Sequence, residues 1–169
     1  QDNVVVIDGV AILATNGWWT YNLDQNIDQE QTSQWFQDQC KVSAQIAKTV
    51  GRMAATDATY MLSSIRRLQT HNDVNKIVCL THTVPDAGLI SHDIGLVDTF
   101  RFNTMGNGFM MQALAADTEN KVHTWCFGHY HGPVDQIRQG VRFVNNCRGR
   151  GDTTWRQYVY HPRRIVIDD

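Results

Sequence analysis

The chain has 169 residues, of which 42% are hydrophobic and 19% are charged, and its net charge at pH 7 is −2. This length fits a single domain that can bury a core of its own. The near-neutral charge gives no basic field for nucleic acid or anionic membranes, and no apolar run approaches the roughly 20 residues of a membrane span. The sequence therefore predicts a globular protein without a membrane segment and without a strong nucleic-acid signal.

The first part of the chain predicts a β-hairpin followed by helices. Val4–Ile7 and residues 11–14 flank Asp8 and Gly9, which form a typical two-residue hairpin turn. Apolar residues then recur at helical spacing from about residue 29 to residue 69. Gly51 is the expected break between two helices, because glycine interrupts helical patterns.

The second part of the chain predicts further strands around a short helix. Residues 76–81 form a continuous apolar run, typical of a strand buried on both faces. Helical patterning returns over 108–116, and the intervening connection over 85–104 has a length that is often functional. Short strands are predicted over residues 122–127, 135–138, 141–145, 154–160 and 164–167. Helices combined with mixed strands predict α/β or α+β layering, and of the two we expect α/β.

The spacing and surroundings of the four cysteines indicate a reducing cellular compartment. Cys40, Cys79, Cys126 and Cys147 show no CxxC spacing. Two of them lie inside apolar strand patterns, as buried free thiols do. Free thiols are typical of reducing conditions, so we expect a cytoplasmic protein.

Histidines follow two of the predicted strands. His82 ends the apolar run that begins at residue 76, and His129 and His131 lie in a turn bracketed by Gly128 and Gly132. Neutral imidazole is a common protein ligand for Zn, Mn and Fe ions. Three imidazoles at strand ends therefore predict a shared metal site.

Two segments of the chain resemble the calcineurin-like metallophosphoesterases. They are Val78-Cys79-Leu80-Thr81-His82-Thr83-Val84-Pro85 and Phe127-Gly128-His129-Tyr130-His131-Gly132-Pro133-Val134. The combination of a TH-x-x-P segment with a later GHxH segment is specific. Residues 140–149 are similar to the strand and loop that close the family's domain, and residues 9–20 to its middle section.

The resemblance implies a layered α/β sandwich of the metallophosphoesterase type. It covers nearly the whole chain but only the second half of the family's pattern, so residues 1–169 would be the C-terminal part of a single domain. The DxH, GDxxD and GNH motifs of the family are absent from this sequence. We expect them in an N-terminal part that precedes residue 1.

The resemblance also implies two divalent ions, such as Mn, Fe or Zn, with His82 and His129 on one ion and His131 on the other. Two dications about 4 Å apart repel strongly and need anionic bridging ligands. Three neutral imidazoles supply none. The site would therefore be completed by residues missing from this chain.

Other residues are candidates for contact with substrate. His92, in the connection after His82, is a catalytic candidate near the phosphate or leaving group. Arg148 is a substrate-binding candidate, because guanidinium offers bidentate phosphate geometry. Trp18, Trp19 and Tyr21 either line a substrate groove or pack on the sheet.

These features predict an enzyme, a metal-dependent phosphoesterase that hydrolyses a phosphomonoester or phosphodiester. Its substrate would be a phosphorylated small molecule, a nucleotide or a protein. One alternative is a non-catalytic phosphoesterase-like module that binds metal or a partner protein. Another is a mononuclear three-histidine hydrolase, in which Asp86, Asp93 or Asp135 would orient an imidazole.

A sandwich cut in half exposes an apolar sheet face, so we also expect residues 1–169 to self-associate.

Overall fold

A six-stranded mixed sheet forms the centre of the computed structural model, which describes residues 4–90, 99–147 and 161–167. Its strands lie in the order β1-β2-β3-β4-β6-β5. The four inner strands are parallel, and the two outer strands pair antiparallel with their neighbours. The strands are β1 (Val4–Ile7), β2 (Val10–Thr15), β3 (Lys76–Thr81), β4 (Val122–Cys126), β5 (Val134–Arg138) and β6 (Val141–Asn145). The predicted α/β fold is confirmed.

The hairpin of β1 and β2 forms where the sequence predicts it. Ile7 pairs with Val10 across a turn in which Asp8 has φ 48° and Gly9 has φ 79°. Two successive positive φ angles define the type I′ turn, whose twist matches that of the flanking strands. The Asp-Gly pair therefore sets the register of the first two strands.

The helices are α1 (Gln29–Cys40), α2 (Ala44–Gln69) and α3 (Thr99–Asn103). The predicted break at Gly51 is wrong, because Gly51 lies inside α2. The chain turns instead at Lys41, which ends α1 with a left-handed φ of 55°, and Ser43 caps α2 by accepting a hydrogen bond from the amide of Ile46. A serine N-cap begins a helix more effectively than one interior glycine ends it. Among the described helices, none is long and apolar enough to cross a membrane.

Two further differences concern short elements. The helix predicted over 108–116 is a 3₁₀ helix over Met110–Ala116, and a second 3₁₀ turn spans Ala87–Leu89. The strand predicted over 164–167 is wrong, because these residues have no regular secondary structure. They are largely exposed, with Val166 48% exposed, so their apolar side chains do not reach the core. The strand predicted over 154–160 lies outside the described residues.

One face of the sheet packs against α2. Alternate residues of the inner strands point toward this helix, as the two-residue period of a strand requires. The buried core joins side chains of the sheet to side chains of the helix, namely Leu13, Ile77, Cys79, Trp125 and Phe143 with Met61 and Ile65. This packing holds the four parallel strands in one rigid layer.

The opposite face of the sheet is open along β2 and at the end of β3, whereas Val78 and Thr124 on the same face are buried. Ile12 and Leu80 are partly exposed, and their neighbours Leu13 and Cys79 on the helix side are fully buried. This face borders a groove of about 630 Å³ that extends from Val5 to His82. Edge strand β1 adds an exposed apolar row, with Val5 and Ile7 each 55% exposed. Such faces and edges are typical of surfaces that pack against another element.

We expect the docking of α2 to carry much of the stability. Ile65 is fully buried and Ile46 is 49% exposed on the same helix, which makes them a matched pair. Ile65→Ala should lower the free energy of unfolding by about 2–5 kcal/mol, because it removes packed methyl groups and leaves a cavity. Ile46→Ala should change it by less than about 0.5 kcal/mol. Urea unfolding followed by circular dichroism measures both; equal losses would contradict this packing.

The open face and edge lead us to expect self-association of residues 1–169. Light scattering should give a mass that rises with concentration above the 19.3 kDa of one chain. Val5→Lys should weaken the association, because a charge on an edge strand disfavours strand pairing. Val166→Lys, at a similarly exposed valine outside the sheet, should leave it unchanged. A constant monomer mass would show that the exposed face needs no cover.

Candidate metal centre

The carboxyl ends of β2, β3 and β4 lie side by side at one edge of the sheet, because these strands are parallel neighbours. Each strand leads into a loop with a ring side chain, and these are Trp19, His82 and His129. Ligand sites in open α/β sheets form at this edge. The fold therefore places two of the predicted metal ligands where a site is expected.

The backbone of His82 is bonded to both neighbouring loops. Its amide donates to the carbonyl of Asn16 over 3.0 Å, and its carbonyl accepts a hydrogen bond from the amide of Gly128 over 2.9 Å. A Cβ atom at Gly128 would lie 3.4 Å from that carbonyl oxygen. The glycine before His129 thus lets the two loops approach closely.

Buried hydroxyl groups fix the backbone on either side of His82. The Thr81 hydroxyl accepts a hydrogen bond from the Trp125 indole over 3.1 Å and donates to the Thr83 carbonyl over 2.8 Å. The Thr83 hydroxyl donates to the Gly17 carbonyl. Buried groups that satisfy one another in this way rigidify a site.

The imidazoles of His82 and His129 are in contact. Their centroids lie 4.9 Å apart with an interplanar angle of 63°. His129 has φ 61°, a left-handed conformation that is uncommon for residues other than glycine and is found often at functional sites. The turn after β4 thus places the His129 ring against His82.

Burial, together with a smaller effect of the nearby His82, lowers the pKa of His129 to about 4. His131 makes a smaller electrostatic contribution in the same direction. His129 is consequently neutral at pH 7, and neutral imidazole is the form that binds metal.

The outer contacts of His129 were not predicted from the sequence. The Trp19 indole stacks on its ring with centroids 5.8 Å apart and an interplanar angle of 7°. The backbone of Thr104 interacts with the same ring and raises the pKa of His129, against the larger effect of burial. No local sequence signal identifies these neighbours, because both belong to loops distant from His129 in the sequence.

Asn145 holds the turn that carries His131. Its side chain, 1% exposed, donates to the carbonyls of Tyr130 and Gly132 over 2.6 and 3.0 Å and accepts from the Cys147 amide over 2.8 Å. The two carbonyls flank His131. A polar residue at the end of an apolar strand was the available sequence signal for this role.

The described residues supply two neighbouring imidazoles but no complete metal site. Within residues 4–90, 99–147 and 161–167, no group of three or more His, Cys, Asp or Glu side chains is placed to hold a metal ion. His82 and His129 offer two imidazoles, and His131 does not complete a three-ligand set with them. Two dications need anionic ligands, which this pair does not supply. The assignment of His82, His129 and His131 to two ions stays a prediction.

The remaining candidates are placed as follows. Asp86 pairs with Arg138 over 2.9 Å. Asp135 pairs with Arg142 and Arg163, both over 2.9 Å, and the Arg142 hydrogen bond lowers the pKa of Asp135. The carboxylates of Asp86 and Asp135 therefore bind arginine side chains rather than an imidazole. This arrangement does not support the three-histidine alternative. His92, Asp93 and Arg148 lie outside the described residues.

The aromatic side chains after β2 pack together. The Trp19 centroid lies 5.4 Å from that of Trp18 and 5.4 Å from that of Phe36, and Tyr21 lies 5.6 Å from Phe36. They cover a small core formed with α2. Of the two interpretations of these aromatic residues, the structure supports packing.

Comparisons with known proteins inform the fold. No protein family model matches the chain, and no curated protein matches its sequence. The structure is similar to the crystal structure of the phosphopantetheinyl hydrolase PptH from Mycobacterium tuberculosis, with a TM-score of 0.59 and 14% sequence identity. The similarity covers 93% of this chain and 56% of that chain, so the chain spans about half the length of the hydrolase. At this identity the similarity shows the fold alone.

We expect Asn145→Asp to loosen the turn that carries His131. The change removes the donor of two buried hydrogen bonds and sets a carboxylate against two carbonyl oxygens, a loss of about 1–3 kcal/mol for each unsatisfied group. Amide exchange over residues 129–132 should accelerate, and the free energy of unfolding should fall. The control is Asn146→Asp, because Asn146 makes one exposed bond to His161. Unchanged exchange in the Asn145 variant would show that the amide does not hold the turn.

Proposed function

We propose that this chain supplies the histidine ligands of a metal-dependent phosphoesterase. The observation that carries the proposal is the contact of His82 with His129, 4.9 Å between centroids, at the carboxyl ends of adjacent parallel strands. Imidazoles on rigid strand ends suit first-row divalent ions. The resemblance to calcineurin-like metallophosphoesterases and the similarity of fold to a phosphopantetheinyl hydrolase support the same class.

In the proposed centre, His82 and His129 bind one divalent ion and His131 binds a second, each Mn, Fe, Zn or similar. When bound, such ions polarise a phosphoryl oxygen and lower the pKa of a bound water. The chain's own contribution is orientation. The bonds of His82 to Asn16 and Gly128 hold its backbone, and the contact between the two imidazoles places His129 beside it.

The anionic ligands of this centre would come from outside the described residues. We expect them in the DxH, GDxxD and GNH motifs of a longer protein, because two dications require bridging carboxylates. His92 remains the catalytic candidate and Arg148 the candidate for binding substrate phosphate. The substrate class is a phosphorylated small molecule, nucleotide or protein, and we propose a cytoplasmic location.

A non-catalytic module that binds metal or a partner protein is the second candidate. The observation that favours it is the absence, within the described parts of the chain, of a three-ligand group. A measurement of phosphoester hydrolysis distinguishes the phosphoesterase from the non-catalytic module. A catalytic protein requires the full ligand set, whereas a module needs only enough ligands to hold an ion or enough surface to hold a partner.

We expect Zn²⁺ binding by residues 1–169 to depend on the paired imidazoles. His82→Ala and His129→Ala should each weaken binding at least about tenfold, since even supporting partners of metal ligands are worth that much. His71→Ala, at an exposed histidine in the turn after α2, should leave it unchanged. Competition with a chromophoric chelator measures the affinity. Equal effects of all three changes would contradict the assigned site.

We expect poor hydrolysis of a generic aryl phosphate by residues 1–169 with Mn²⁺, because anionic ligands are missing. In the full-length native protein, His129→Ala should lower hydrolysis by orders of magnitude, since the lost ligand disturbs both ions. Colorimetric release of the aryl group measures both. Robust turnover by the isolated 169 residues would show that the absent motifs are not needed. A full-length native protein that binds metal but hydrolyses no phosphoester would favour the non-catalytic module.

A further inference from the structure

The face of the His129 imidazole is covered by an indole. The rings of Trp19 and His129 are nearly parallel, at 7°, with centroids 5.8 Å apart. Aromatic rings attract one another in such offset stacks beyond the gain from buried area. His82 meets the same imidazole edge-on at 4.9 Å. The His129 ring is therefore held between an indole that it faces and an imidazole set across it.

The Trp19 indole is itself fixed by two neighbouring rings. Trp18 meets it at 64° and Phe36 of α1 at 66°, both with centroids 5.4 Å away. Phe36 also contacts Tyr21, whose hydroxyl donates to the Ala47 carbonyl in α2 over 3.2 Å. These contacts connect the two long helices to the indole that covers His129.

The backbone around Trp19 is anchored on both sides. On the N-terminal side, the Asp57 carboxylate in α2 accepts hydrogen bonds from the amides of Gly17 and Trp18 over 2.7 and 3.3 Å. On the C-terminal side, Thr20 donates through its amide to the Gly106 carbonyl over 3.3 Å and accepts from the Gly108 amide over 3.1 Å. The indole therefore has little freedom to move away from His129.

We propose that Trp19 is the positioning residue for His129: its indole sets the plane of the imidazole and keeps water from one face, so that His129 stays in its arrangement with His82. This inference rests on the proposed function, because the orientation of His129 matters to chemistry when the ring binds a metal ion. Ligand geometry held by packed neighbours needs no rearrangement on binding, which raises affinity.

Trp18 provides a matched control for this role. Both tryptophans are half-buried and belong to the same small cluster on Tyr21, Ala47 and Val50. Trp18 contacts Trp19, whereas Trp19 contacts His129. A general packing role would make the two residues equivalent, and a positioning role would make Trp19 the more important for His129.

The test compares Trp19→Leu, Trp19→Phe and Trp18→Leu in the 169-residue chain. The first measurement is the rate at which diethyl pyrocarbonate modifies His129, followed by peptide mass spectrometry without metal. The second is Zn²⁺ affinity. Trp19→Leu should speed modification several-fold and weaken Zn²⁺ binding about 10–100-fold, the range for lost supports of metal-bound histidine. Trp19→Phe, which keeps a stacking ring, should remain near wild type. Trp18→Leu, which leaves Trp19 on His129 and Phe36 beside Trp19, should change both measurements much less than Trp19→Leu does.

Unchanged modification of His129 in Trp19→Leu, or an equal change in Trp18→Leu, would overturn the inference. Absence of Zn²⁺ binding by the wild-type chain would instead overturn the proposed function, while the modification rates would still decide whether Trp19 holds and shields His129. Thermal unfolding is recorded for each variant. Trp19→Met, which is apolar but has no ring, replaces Trp19→Leu if that variant does not unfold cooperatively.

Discussion

The pairing of β3 with β4 is the constraint on which the candidate site depends. These parallel strands end at the same edge of the sheet, and the hydrogen bond from the Gly128 amide to the His82 carbonyl, 2.9 Å, continues their association beyond the strands. The bond brings His82 and His129 together although 46 residues separate them in the sequence. Without this pairing, the two histidines would be ordinary loop residues.

The open face of the sheet lies beside the two imidazoles that we propose as metal ligands. The groove on the open face ends at His82, and the two contacting imidazoles lie at the same edge. An element that packed on this face would bury Ile12 and Leu80 and would also approach His82. A single element with acidic side chains would thus cover the apolar surface and supply the anionic groups that two metal ions require.

Local patterns in the sequence predicted the elements that position the site. The Asp-Gly turn, the apolar run of β3 and the strands β4 and β6 all appear where their residues indicate, because turn chemistry and strand burial are local properties. The break between the long helices was misplaced because the caps at Lys41 and Ser43 outweigh Gly51. Residues 164–167 have strand-like residues but remain largely exposed.

The fine structure of the site depends on contacts between distant residues. The histidines were predicted as metal ligands from their position after apolar strands; His82 and His129 are in contact, and their role as ligands stays a prediction. The stacked Trp19 could not be predicted, because it reaches His129 only through the folding of another loop. His131 illustrates the same limit: its spacing suggested a third ligand, yet among the residues that the structure describes the turn does not bring it into a three-ligand group.

A crystal structure of the chain with Zn²⁺, using the anomalous signal of zinc, tests the central claim most directly. We expect an ion bonded to one ring nitrogen of His82 and one of His129 at about 2.0–2.1 Å, with Trp19 still stacked on His129. Zinc bound elsewhere on the chain, with both of these imidazoles unligated, would contradict the account.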